Sequence, residues 1–295
     1  MWMALSHVLS YYTRMIDTTV DCERLITPDV ISRYHEVGYV ALPDVLSTRE
    51  VGDAREALTD LVRAYAMQPP AERNGAARVL QFEPGFEPNA LGDNVAEIEL
   101  HVRKFMGFVD LQPALNQLVD PNHKIVRIVS ELIGSNPILF QDMALVKPPL
   151  IGSEKPWHQD NAYFSVTPLE SVCGVWIALD GATVDNGCMH VLPGWHRRGA
   201  LVHHHDRDCE IAIEKLALDE VEPAPISAGG ALFFYGMLPH QTPPNRSVER
   251  RRALQFHFRA ATSRMLDPEE YNAVYADAAG VPASCYAARS YSPSG

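Results

Sequence analysis

Arg251-Arg252-Ala253-Leu254-Gln255-Phe256-His257-Phe258-Arg259 reads as a single strand with two different faces. Successive side chains of a strand point to opposite sides. Arg251, Ala253, Gln255, His257 and Arg259 therefore share one face, while Leu254, Phe256 and Phe258 share the other. From Ile138 onward, short apolar segments alternate with turn formers, the pattern of a sandwich or barrel. A double-stranded β-helix (jelly roll) needs such a division, with a polar lumen and an outer face covered by helices. The expected fold is mainly β with flanking helices, built on a cupin-like jelly-roll core over about residues 138–262.

The covering helices are visible upstream. Thr27-Pro28-Asp29 is a helix start, with a capping threonine and proline at the first helical position. The helix should run to about Glu36, and Gly38 ends it. Tyr39 to Pro43 reads as a short strand. Ser47-Thr48 then cap a longer helix reaching about Tyr65, with Val51, Ala54, Leu58 and Leu61 at helical spacing. A further helix is expected from Asn122 to about Ile133, before Gly134. Residues 68–100 are rich in turn formers, and a loop this long is usually functional or mobile. Asp185-Asn186-Gly187 is the sharpest hairpin signal in the chain. No internal repeat or low-complexity segment appears. Residues 1–24 read as a flexible or loosely docked extension and 25–295 as one domain.

His158 and Asp160, in Pro-Trp-His-Gln-Asp, carry the chemistry. Two apart in a strand, they would offer an imidazole nitrogen and a carboxylate oxygen on one side. His240, in Leu-Pro-His-Gln-Thr, is a third candidate ligand from a strand distant in sequence but adjacent in space. Two histidines and one carboxylate leave the opposite coordination positions open, as a non-haem Fe(II) oxygenase requires. Arg251 can hold a carboxylate bidentately through its planar fork, and 2-oxoglutarate ends in one. An isolated H-x-D is weak, and a solvated turn is its default reading. Zinc accepts the same donors, but it would leave Arg251 without a task.

The motif's company decides between these. His158-Gln-Asp-Asn-Ala-Tyr163, Val175-Trp-Ile-Ala-Leu-Asp180, Asp185-Asn-Gly-Cys188 and Leu192-Pro-Gly-Trp-His196 are followed by Gly230-Ala-Leu-Phe-Phe234, His240-Gln-Thr-Pro-Pro-Asn245-Arg-Ser247 and Arg251-Arg252. In order and spacing this closely resembles the phytanoyl-CoA dioxygenase family of Fe(II)/2-oxoglutarate oxygenases, over roughly residues 28–260. The resemblance implies Fe(II), 2-oxoglutarate and O2 as cofactor and cosubstrates. His158, Asp160 and His240 would be the metal ligands. Arg251 and Thr242 would hold the distal carboxylate, Trp176 would line the cosubstrate pocket, and Lys104 would reach it from outside the barrel. Met143 matches a position packed against His158, and Gln141 an amide pointing into the pocket. With Asp160 present, the resemblance implies hydroxylation of an unactivated C–H rather than halogenation, with release of succinate and CO2, while desaturation, epoxidation and ring closure stay open because they depend on substrate placement.

Several other residues invite assignment. Trp176 and Lys104 also have bland readings, as a core residue and a solvated helix residue. Lys147-Pro-Pro reads as structural, and Asn245 and Ser247 as the fixers of the turn before Arg251. His203-His204-His205 reads as a solvated loop, and His257, on the polar face, as a satisfied core histidine, with contact to a cosubstrate carboxylate or to a group supporting the metal site as its alternative. The substrate-binding mouth is expected from the 68–100 loop, Tyr163-Phe164 and 198–225. Phe82, Phe86, Leu91 and Phe164 suggest a small, partly apolar substrate, and Arg103, Arg197 and Arg198 could meet an anionic group on it.

Composition sets outer bounds. The chain has 295 residues, 37 acidic against 25 basic, for a net charge of −12. That argues against nucleic acid or an anionic membrane as partner. No apolar run approaches the about 18 residues of a membrane span, and the N-terminus fits a secretory signal poorly. The five scattered cysteines read as reduced residues of a cytoplasmic protein. Two other readings stay open: a metal-dependent hydrolase or isomerase, and a non-catalytic cupin-like binding protein.

Overall fold

The structure is a computed structural model that describes residues 24–69, 79–86, 92–205 and 208–276. Two antiparallel sheets carry it. The larger has seven strands in the order Tyr39–Leu42, Ala231–Tyr235, Val172–Ala178, Arg251–Ala260, Pro137–Lys147, Val102–Met106, Leu80–Phe82. The smaller has four: Glu222–Ala224, Met189–Val191, His240–Thr242, Lys155–His158.

Alternation sorts the side chains between two cores. Val175, Ile177, Leu254, Phe256 and Phe258 pack with Ala54, Leu58, Leu61 and Ile128 from the helices Thr48–Ala66 and Lys124–Ile133. Trp176, Ala178 and Ala253 face the other way, against Met189, Val191 and Leu238 of the smaller-sheet layer. Gln255 and His257 share that inner side and are buried among polar groups. The outward apolar face and the polar lumen are thus where the alternation of 251–259 placed them.

Local signals explain the helix ends. Thr27 Oγ1 accepts from the Val30 N–H, Pro28 opens the helix Pro28–Val37, and Gly38 closes it at φ 93°. Ser47 and Glu50 form a reciprocal capping box at the start of Thr48–Ala66. His123 caps Lys124–Ile133 through Nδ1, so its Nε2–H is free to donate to Glu50 at 3.1 Å. The Asp185-Asn186-Gly187 turn is not a hairpin. Asn186 Oδ1 accepts from the Thr183 N–H and its amide donates to Gly181 O, shaping a loop that carries the chain from one sheet to the other. Turn chemistry was legible there, but which strands it joins depends on sheet pairing.

Three more expectations need correcting. Lys104 lies in the strand Val102–Met106, not in a helix. His203 is a buried strand residue, not part of a solvated loop. Cys209 is disulfide-bonded, its partner lying outside the described residues, whereas Cys173 and Cys188 are free and buried. Leu91 and residues 1–23 also lie outside the described residues. Among those described, no helix is long and apolar enough to cross a membrane.

Two stability predictions follow from these cores and caps. Phe256, fully buried, should cost about 3–5 kcal/mol on replacement by alanine, read as a lower urea midpoint. Burial pushes the Glu50 carboxyl up, but hydrogen bonds from His123 and Ser47 and the charge of Lys124 outweigh it and bring it to about 2. A depressed folded pKa stabilises above the unfolded value and is lost as pH falls through the folded one. Stability should therefore drop between about pH 4.5 and 2, and Glu50→Gln should flatten that part of the urea-midpoint profile.

Candidate active site

His158 ends the strand Lys155–His158 and faces His240 directly across an antiparallel pair. Asp160 is not in that strand. It has helical φ/ψ (−58°, −37°) and opens the short helix Asn161–Phe164, so a turn, not strand alternation, brings it back beside His158. Gln159 fixes the turn. Its amide donates to Gly199 O and Met237 O, its carbonyl accepts from the Leu201 N–H, and its own N–H donates to His203 Nε2. Sequence reading passed over Gln159 and misread His203, because their partners lie about 40 to 80 positions away.

The three ligand atoms of His158, Asp160 and His240 lie within 4.8 Å of one another, and all three residues are buried. Asp160 Oδ1 is 3.2 Å from His158 Nε2 and 3.7 Å from His240 Nε2. Each ring donates Nδ1–H to a backbone carbonyl, Pro156 at 2.7 Å and Leu238 at 2.9 Å, which turns the Nε2 lone pairs inward. Burial, then the neighbouring His158, lowers His240 to about 4, so it is a neutral donor at pH 7. The other Asp160 oxygen accepts from His257 Nε2–H at 2.8 Å and from the Gln255 amide at 3.3 Å. Burial alone would raise the Asp160 carboxyl, yet His240, His257 and His158 hold it well below the usual range. His257 is therefore a holder of Asp160 and not an idle core residue.

A cavity of about 260 Å³ opens beside the triad. Lys104, Gln141, Met143, Thr242 and Arg251 all line it, as do Arg103 and Phe164. Trp176 lies beneath, its ring centroid 5.2 Å from the Arg251 guanidinium carbon. Phe82 and Phe86 do not join the wall but pack on Tyr65 and His101. Arg197 is absent from the wall as well, and Arg198 stacks on Trp195 at 3.6 Å instead.

Arg251 is fully buried, with one weak bond to Leu145 O at 3.4 Å. Among the described residues its Nε and Nη2 have no partner, nor do Trp176 Nε1 and Gln141 Oε1. Burial lowers the guanidinium to about 9, still cationic at pH 7. Unpaired buried donors cost heavily, so the Arg251 guanidinium and the Trp176 indole N–H fit a carboxylate such as the distal end of 2-oxoglutarate, while Gln141 Oε1 is an acceptor further along the sheet, opposite His257. Neighbours hold the arginine in place. Asn245 donates to Lys147 O, Pro148 O and Glu249 O and accepts from Ser247, setting the turn before Arg251. Asp180 clamps Arg252 bidentately at 2.8 and 3.0 Å. Lys147 donates to Ser153 O and Thr242 O, which ties the wall together.

A jelly roll with an inward His-Asp-His triad and a buried free arginine across its cavity defines a non-haem iron- and 2-oxoglutarate-dependent oxygenase. Residues 34–253 match the family model described as phytanoyl-CoA dioxygenase (PhyH), and the chain belongs to that family. It is 25% identical over 277 residues to phytanoyl-CoA dioxygenase domain-containing protein 1 of Danio rerio, covering 84% of this chain and 94% of that one. It is 29% identical over 246 residues to methylphosphonate hydroxylase of Gimesia maris, covering 83% and 85%. The solved structure of EctD from S. alaskensis with bound Fe shares the fold at a TM-score of 0.65 and 19% identity, covering 82% of this chain and 80% of that one. Fe(II), 2-oxoglutarate and O2 are accordingly its cofactor and cosubstrates.

His257→Ala should leave the fold intact but lower Fe(II) affinity about 10–100-fold, because Asp160 loses the donor that fixes its orientation. Anaerobic competition with a metal chelator measures this.

Proposed function

We propose that the protein hydroxylates an unactivated C–H of a small organic or acyl substrate, with residues 25–295 acting as one oxygenase domain. The carrying observation is Arg251, buried beside Trp176 with Nε and Nη2 unpaired among the described residues, lining the same cavity as three ready ligand atoms. When bound, iron and 2-oxoglutarate couple decarboxylation of the cosubstrate to succinate and CO2 with oxidation of the substrate by dioxygen. His158, Asp160 and His240 hold the metal on one side and leave the cavity side open. Arg251 and Thr242 take the distal carboxylate, the Trp176 face bounds its pocket, and the Gln141 amide points into the cavity further along. Lys104 reaches the other end, and Met143 packs the wall between.

The walls also govern where oxidation falls. Phe164, Met143, Leu145 and Met189 supply apolar surface near the triad, which orients a C–H and excludes water from the reacting region. With a carboxylate at 160, no coordination position is vacated for a halide, which favours hydroxylation.

Arg251→Ala should raise the 2-oxoglutarate dissociation constant about 100-fold, since charge-assisted bonds contribute about 1.5–3 kcal/mol each. Fe(II) affinity should stay near wild type. Calorimetric titration separates the two, and unchanged 2-oxoglutarate affinity would remove the arginine assignment. His158→Ala should abolish substrate-dependent succinate release while leaving the urea midpoint close to wild type. Isotope-labelled dioxygen should place one oxygen atom in the product. A desaturated product without label would contradict hydroxylation.

A further inference from the structure

The cavity carries more positive charge than iron and cosubstrate need. Arg103, Lys104 and Lys155 all stand on its wall, on a chain whose net charge is −12. Lys155 is committed: its ammonium donates to Asp208 at 2.5 Å and to the Tyr163 hydroxyl at 2.7 Å. Tyr163 in turn donates to Asp208 at 2.9 Å, so these three side chains close on themselves. Lys104 has no hydrogen-bond or ion-pair partner among the described residues. Arg103, half-buried, lines the cavity, and its one side-chain hydrogen bond among the described residues runs from Nη2 to the Glu154 carbonyl at 3.2 Å.

These cations feel one another. Burial, then Lys155, lowers Lys104 to about 8, and Arg103 adds to the repulsion. The acidic groups acting on Lys104 and Lys155 are Asp208, spent on Lys155, and Asp160, spent on the metal. Glu83 and Glu154 act on Lys147, and Glu154 also lines the cavity. Under the proposed function Lys104 meets the cosubstrate, and Arg103 remains. A guanidinium fork in a half-buried, partly apolar cavity is a bidentate receptor for a planar or tetrahedral oxyanion.

We propose that the substrate carries an oxyanion, a carboxylate or a phosphonate, which Arg103 anchors so that its hydrocarbon part lies against Phe164 and Met189 near the triad. Arg103 is then a specificity residue that touches the substrate and not the cosubstrate. The cavity, at about 260 Å³, lies below the about 300–1,000 Å³ usual for drug-sized ligands, which favours a short chain. This proposal rests on the oxygenase reading above.

The test is anaerobic calorimetry on the full chain loaded with Fe(II) and 2-oxoglutarate, at pH 7. Butyrate and propylphosphonate are the oxyanion probes, and butanamide is their neutral match. At least one oxyanion should bind about 10-fold or more tightly than butanamide, the effect of one charge-assisted bond. Arg103→Gln should erase that advantage, Arg103→Lys should keep only part of it because the ammonium lacks the bidentate fork, and 2-oxoglutarate affinity should be the same in all three proteins. Preference for butyrate would assign a carboxylate substrate, and preference for propylphosphonate a phosphonate. Parity with butanamide, indifference to Arg103→Gln, or binding only by displacement of 2-oxoglutarate would each overturn the proposal. Wild-type protein that fails to bind 2-oxoglutarate at all would overturn the oxygenase reading and this inference with it.

Discussion

The site depends on the division of labour between the two oxygens of Asp160. A buried carboxylate is costly unless its lone pairs are used. Here Oδ2 takes His257 and Gln255, while Oδ1 points at the Nε2 atoms of His158 and His240. That arrangement requires the strand Arg251–Ala260 to present Gln255 and His257 inward. It also requires the turn at Gln159 to return Asp160 to the strand end. The apolar outward face, through Leu254, Phe256 and Phe258, fixes the register that makes both possible.

The same strand begins with Arg251, and there the usual economy of buried polar groups is suspended. Two guanidinium nitrogens and the Trp176 indole N–H are buried without partners among the described residues. Surrounding structure sustains the strain of this arrangement. Asn245 organises the preceding turn, and Asp180 clamps the next residue in the chain. Unpaired donors of a buried cation at a cavity wall mark a place preorganised for an anionic ligand.

Much of this was legible in the sequence, for reasons that differ by residue. The alternation of 251–259 and the caps at Thr27 and Ser47 are local, so period and turn chemistry reveal them. The ligand set came from residue types whose chemistry is distinctive, together with the ordered resemblance of the segments around them. Asp160 entered by a route the sequence did not show, since a helical turn and a strand step can both place residue i+2 beside residue i. Gln159, Asp180, His203 and the closed group of Lys155, Tyr163 and Asp208 were not legible. Each works through partners that only the fold brings near. The disulfide at Cys209 escaped for the same reason.

The most direct measurement is an anaerobic titration of Fe(II)-loaded protein with 2-oxoglutarate, followed by visible absorption. Chelation of the cosubstrate to iron held by His158, Asp160 and His240 predicts a weak metal-to-ligand charge-transfer band that saturates at one equivalent. Iron demonstrably bound at the site with no such band would contradict the account.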